Sequence, residues 1–182
     1  VDLVGDKLRE VFKTEEIGIR WLDDSTGMLH FLYEYEHGKR LYPEALPPGR
    51  SGLWRVMSGT RAPIVTRNRS ELEALGIANL AGTDASESIV AVPIQVGDRL
   101  LGMILMEEYD RANAFGDADV RLLTTVASSM GVALENARLF DETQARTRET
   151  AALVEVGRDV SATLDIVKVM DRIADHAKNL LK

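Results

Sequence analysis

The residues that could do chemistry in this chain are few and scattered. His30, His37 and His176 fall on a predicted strand, at its end and on the last predicted helix, with no two at a metal-ligand spacing such as i, i+4 on one helix. They read as solvated or hydrogen-bonded histidines, so no metal site is assigned, and His37 is left as the one side chain that could ligate haem. The chain has no cysteine, which removes disulfides, thiolate catalysis, zinc–sulfur sites and any thioether-linked chromophore. No Gly-rich phosphate loop, nucleophile elbow or acid/base pair stands out, so no catalytic residue is assigned. What remains is a set of side chains suited to holding a small molecule: Arg20, Tyr33, Trp54, Thr66, Thr83, Asp84 and Ser88. Arg20 suits an anionic group, Trp54 and Tyr33 a flat one, and the hydroxyls with Asp84 supply hydrogen bonds at a loop edge. The competing assignments are core filling for the two aromatics, turn satisfaction for Thr83 and Asp84, and surface exposure for Arg20.

The elements that must position these residues are legible from periodicity. Val1 to Lys13 carries Leu3, Leu8, Val11 and Phe12 at helical spacing, the remaining part of a first helix. Glu16 to Leu22 and Met28 to Glu36 alternate as half-buried strands, with Leu29, Phe31, Tyr33 and Tyr35 predicted on one face and Glu34 and Glu36 on the other. Asp23 to Gly27 is turn chemistry, so the two strands should pair antiparallel. A short helix is expected over Ser51 to Ser58 with Gly59 as its stop, then a strand over Ala62 to Thr66, a helical turn over Glu71 to Leu75 and an irregular loop over Gly76 to Ser86. Ser88 to Val96 and Arg99 to Glu107 form a hairpin through Gly97-Asp98, where Gly in the first central position suits a type II′ turn. A long helix begins after Gly116 with Asp117 and Asp119 at its positive end and Phe115 stapling Val120. Its seam runs through Val126, Met130, Ala133, Ala137, Phe140, Gln144, Thr147, Ala151 and Val154, with a kink or short break expected near Gly157 and a new helix from about Asp165.

At 182 residues the chain suits one domain with an appendage, and its 29 acidic against 22 basic residues give a net charge of −7 that repels phosphate backbones. No nucleic-acid partner is expected. The longest apolar stretches, 88–96 and 100–106, are interrupted by Pro or Gly and fall short of the roughly 20 residues a membrane span needs, so no membrane partner is expected in this stretch of chain. With no targeting segment in view, a cytoplasmic setting is expected. The opening without Met and the apolar stripe that runs out at the end read as parts of a longer protein.

The stretch SESIVAVPIQVGDRLLGMILMEEYD, with Pro93 in its first strand and Leu101-Gly102 in its second, resembles the paired final strands of GAF domains of bacterial signalling proteins. FGDADVRLLTTVASSMGVALENARLFDET resembles their exit helix, and GIRWLDD, FLYEYEHGKR and GTD resemble GAF sensors found beside cyclase and histidine-kinase modules. The resemblance implies an α+β fold, an antiparallel sheet of about six strands with helices on both faces (GAF/PAS-like), over residues 1–140. It implies a helical signalling linker over 141–182, whose stretch from Leu164 to Leu181 is similar to the first helix of a second such domain. Relatives that reduce methionine sulfoxide use cysteines, which this chain lacks. The cyclic-nucleotide signature is only partly matched, by Phe115 and Asp119, with Val120 where its Glu would stand and no Asn-Lys pair ahead; the cofactor therefore stays unknown, with covalent bilin excluded.

The implied function is a sensory module that binds a small molecule and relays its state, through a C-terminal helix paired in a homodimer, to a downstream effector domain. The alternative is an unliganded dimerisation and relay module, and an independent enzyme is the least favoured reading.

Overall fold

The computed structural model describes residues 1–79, 82–163 and 166–180. The chain divides into two compact units, Val1–Glu135 and Asn136–Lys182.

In the first unit, α1 (Asp2–Phe12) leads into β1 (Ile17–Asp23), β2 (Met28–Glu36) and β3 (Lys39–Arg40). A single 3-10 turn at Pro48–Arg50 precedes α2 (Gly52–Thr60), β4 (Ile64–Thr66) and α3 (Arg69–Ala74), then β5 (Ser88–Val96), β6 (Arg99–Glu108) and α4 (Asp117–Thr163), whose residues from Asn136 onward belong to the second unit. The six strands form one sheet in the order β3-β2-β1-β6-β5-β4, with every neighbouring pair antiparallel. Short β3 and β4 therefore lie at its two edges.

Both faces of the sheet are covered. On one, Leu8 of α1 and Leu123 and Ala127 of α4 pack on Ile17, Ile19, Tyr33, Val90, Val92 and Ile104. On the other, Leu53, Trp54 and Met57 of α2 and Leu72 of α3 pack on Leu29, Ile89, Ala91, Met103 and Leu105. This explains why β5 and β6 read as nearly unbroken apolar runs, since a strand covered on two sides has no solvent face to mark with polar residues. α4 sits close on β5: a Cβ added at Gly131 would lie 2.8 Å from the Gln95 carbonyl oxygen.

The predicted hairpins are present, and Gly97 turns between β5 and β6 at φ 55°. The start of α4 has the expected closure, the Gly116 N–H donating to the Asp119 carboxylate at 2.9 Å while Phe115 and Val120 are both partly buried against the core. Three local expectations are corrected. The regular alternation along β2 is broken by a bulge: Ile19 pairs with Tyr33 but Arg20 pairs with Phe31, leaving Leu32 as the extra residue. The two tyrosines consequently face α1, while Phe31 and Glu34, three residues apart, share the opposite face. Gly59 does not stop α2; Ser51 caps its start, accepting from Trp54 N–H, and Arg61 closes it in the left-handed region at φ 55°, its N–H on the Met57 carbonyl. Nor does Gly157 interrupt α4, which continues to Thr163. The expected new start near Asp165 lies outside the described residues, and α5 follows over Ile166–Leu180.

In the second unit, the Thr143, Thr147 and Thr150 hydroxyls donate to carbonyls one turn back at 2.7–2.9 Å, which satisfies these polar groups inside their own helix. Arg138 and Arg146 pair with Glu142 at 3.2 and 2.6 Å. Phe140, Leu153, Val154 and Val156 are exposed. Among the described residues, no helix is long and apolar enough to cross a membrane.

Candidate functional site

The β2 bulge is what builds the site. By bringing Glu34 onto the face shared with Arg20 it creates a buried ion pair, with Arg20 Nη2 donating to Glu34 Oε1 at 2.6 Å and Nε to Oε2 at 3.4 Å. Gly18, opposite Glu34, leaves the space: a Cβ there would fall 2.8 Å from the Glu34 carboxylate. Burial favours the neutral form of Arg20, but the charge and hydrogen bonds of Glu34 outweigh it and raise the guanidinium above its ordinary value. Beside the pair, near the end of β6, lies half-buried Glu107, whose Oε1 accepts from the Ser86 hydroxyl at 2.8 Å. Burial pushes Glu107 above the ordinary carboxylate range, Arg20 pulls it back, and the charge of Glu34 adds to the rise.

Above these groups is a cavity of about 60 Å³, roofed by the chain around Arg50 to Leu53, by Leu72 of α3 and by residues 77–79, 83 and 86. Roughly 30 Å³ is the share of one water in the liquid, so the space suits two waters or a small head group. A ring system such as a nucleotide, haem or tetrapyrrole needs several hundred Å³.

Of the residues singled out from sequence, Arg20 and Thr83 line this cavity. Asp84 is exposed next to it and meets His37. Tyr33 lies on the other side of the sheet, its hydroxyl donating to Asp6 at 2.6 Å and its ring 4.1 Å from the Arg40 guanidinium; burial pushes its phenol up to about 12. Trp54 is core, packed between α2 and the sheet. Thr66 accepts the Ile89 N–H at 3.0 Å, and the Ser88 hydroxyl donates to the Arg111 carbonyl at 3.0 Å. Glu34, Ser86 and Glu107 were not anticipated; the one signal for Glu107 is a carboxylate closing an otherwise apolar strand.

The loop carrying Thr83 and Ser86 is fastened to the β2–β3 turn. Asp84 N–H donates to Glu36 at 2.7 Å, His37 Nε2 lies 3.0 Å from Asp84 Oδ2, and His37 N–H donates to both Glu16 oxygens at 2.8 Å. The Tyr109 ring packs on His37 at 4.9 Å. Glu36, His37 and Asp84 each offer one atom within 4.8 Å of the others, a set that could hold a divalent cation. Sequence spacing does not reveal it, because Asp84 comes from a distant loop.

The hydrogen bond to Asp84 raises His37 above its usual value near 6.5, with the charges of Glu16 and Glu36 assisting and desolvation opposing. A raised folded value means the tether is fully present below about pH 6.5 and is lost as pH rises through the raised value. Protection of the Asp84 amide in hydrogen exchange, corrected for intrinsic rates, is therefore expected to fall over that window and to become flat in His37→Gln. Equal protection across the window in the unaltered chain sinks this assignment.

The family model described as GAF domain matches residues 1–135. Among solved structures, the chain is similar to the GAF domain of a phosphoenolpyruvate-protein phosphotransferase (ptsP) from Coxiella burnetii, with TM-score 0.64 and 18% identity over 77% of this chain and 83% of that one. It is similar to the second GAF domain of DevS from Mycobacterium smegmatis, with TM-score 0.60 and 15% identity over 78% and 94%. A third similar structure is free methionine-R-sulfoxide reductase from Neisseria meningitidis in complex with its substrate, with TM-score 0.58 and 19% identity over 75% and 76%. At these identities the likeness is one of fold, so the cavity has to be read from its own residues. With the family match spanning the whole six-stranded sheet, both of its helical covers and the first turns of α4, the chain belongs to the GAF domain family.

Proposed function

We propose that this domain is a regulatory sensory module of bacterial signal transduction, working in the cytoplasm, which binds a small molecule in the cavity above Arg20 and passes its state through α4 to a downstream effector. GAF domains are generally regulatory sensory modules. The observation that carries the reading for this chain is the sheet itself. β1 and β6 present Arg20 and Glu107 to the cavity and, from their other faces, Ile19, Ile104 and Met106 to the core that holds α1 and α4. A ligand that shifts the first set moves the second, and it biases α4 only through its differential affinity for two states.

The test of binding is a thermal-shift screen of the full chain against a broad library of small metabolites, since a ligand at 100 times its dissociation constant stabilises by about 2.7 kcal/mol. A hit that disappears when Ser86→Trp fills the cavity supports the sensor. A screen without hits leaves the second reading, an unliganded dimerisation and relay module, which the small cavity volume favours.

Both readings include a homodimer through the C-terminal helix, because Phe140 and Val154, two heptads apart on one face of that helix, are exposed and a second helix would bury them. Thr147, midway between them, has its hydroxyl bonded to the Thr143 carbonyl, so covering it leaves that donor paired. Light scattering is expected to give a dimer for the full chain and a monomer once residues beyond Phe140 are removed. A dimer that survives the truncation places the interface elsewhere.

A further inference from the structure

Two opposite charges face the same cavity, neither of them in an ion pair among the described residues. Glu107 accepts one hydrogen bond, from the neutral Ser86 hydroxyl, while the guanidinium that could have neutralised it, Arg20, is spent on Glu34. Arg50, exposed at the cavity mouth, makes no ion pair or side-chain hydrogen bond among the described residues. Leaving two carboxylates to share one buried guanidinium costs stability, and such groups concentrate where a ligand supplies the missing charge. We propose that the cavity takes a small zwitterion, an amino acid or ω-amino acid, with its ammonium group on Glu107 and its carboxylate on Arg50.

The volume of the cavity suits this orientation. A space of about 60 Å³ admits an ammonium group with the carbon that bears it, while the remainder of the ligand lies outward along the wetter mouth where Arg50 stands. An ammonium has three donors: one for Glu107 and the others for hydroxyl or carbonyl oxygens such as those of Thr83 and Ser86. The reverse orientation fails, because a carboxylate pushed inward would meet Glu107 and Glu34 beside a single guanidinium already engaged. Binding is also tied to pH. Glu107 is faced by Arg20 from β1 and by Glu34 and Glu36 from β2, with Tyr109 just past the end of β6 and Arg50 on the same cavity lining. Burial keeps a proton on its carboxylate to higher pH than usual, and that proton must leave before an ammonium can pair with it. Affinity therefore rises with pH until Glu107 is ionised in the empty site.

This inference rests on the ligand-binding reading above, and matched probes separate the two. Calorimetry of the full chain with alanine and γ-aminobutyrate (zwitterions), ethylamine and butylamine (ammonium only) and propionate and butyrate (carboxylate only) is expected to show binding in that descending order. Glu107→Gln should weaken the zwitterions and amines about tenfold or more, the usual loss for a charged hydrogen bond. Arg50→Met should reduce a zwitterion to the affinity of its amine. Unliganded melting of both variants checks that they fold. Carboxylates binding as well as zwitterions, or zwitterions undiminished in Glu107→Gln, overturn the assignment while leaving the cavity a ligand site. So does a metabolite-library hit of neutral or purely anionic chemistry. No zwitterion binding at millimolar concentration overturns it outright, as does strong coupling between the two substitutions in the empty protein, which would mean that Arg50 and Glu107 pair with each other.

Discussion

Replacing Glu34 with alanine is expected to lower the unfolding free energy by about 3–5 kcal/mol, because it leaves the Arg20 guanidinium buried without its carboxylate. Both side chains are more than nine-tenths buried, so solvent does little to soften the loss. The pair itself is not the source of the stability; the penalty arises from stranding half of it. Replacing both members, Arg20→Met with Glu34→Leu, should accordingly recover most of the loss and end near neutral. Urea denaturation of the two variants makes the comparison at a single temperature. A loss under about 1 kcal/mol for Glu34→Ala would show that Arg20 turns to Glu107, which is close enough to feel its charge, and would make the ion pair a movable part of the site.

The second large effect is expected at Leu105. This side chain is fully buried in β6, packs with the α2 and α3 core and also lines the cavity. Leu105→Ala should cost about 2–5 kcal/mol, the span set by how far the surroundings relax into the gap. Here the gap opens into an existing polar space, so water or a larger ligand can enter, which places the expected value toward the lower end. The variant therefore reads stability and specificity together: a lower melting midpoint with binding extended to bulkier members of a ligand series. Leu101→Ala, on the face of β6 turned to α1 and α4, should destabilise comparably without altering which ligands are accepted. Equal changes in ligand range from both substitutions would mean that Leu105 has no special part in setting which ligands enter.

Much of the fold was legible because its signals are local. Alternation bounded by Asp23 to Gly27 is enough to place the first hairpin, and Gly97 to place the last. The start of α4 could be read from Gly116, Asp119 and the Phe115–Val120 pair because a helix end needs its own N–H groups satisfied by nearby residues. The bulge at Leu32 could not be read, since nothing in a run such as His30 to Glu36 distinguishes an added residue from continued alternation; it emerges from pairing with β1. That one residue decided the site. Alternation assigned Glu34 to solvent and Tyr33 to a pocket, whereas the slip delivers Glu34 to the cavity and Tyr33 to α1. The end of α2 shows the same limit, for a left-handed arginine at position 61 is dictated by the path to β4 and not by its own side chain. Arg20 and Thr83 could be singled out as polar groups with a role, but their partners come from other strands and loops, beyond the reach of periodicity.

The edges of the sheet bear on how copies of this chain can meet. β3 is two residues long and both, Lys39 and Arg40, are cationic; β4 is three residues long and follows Pro63, which has no N–H to offer. A long flat edge recruits passing strands and seeds fibrils, and these two rims give an incoming backbone almost no rail to grip. Any contact between copies is left to side chains on other surfaces instead of backbone hydrogen bonds along a strand. The domain is protected in this way from a backbone-to-backbone contact that is hard to undo once formed.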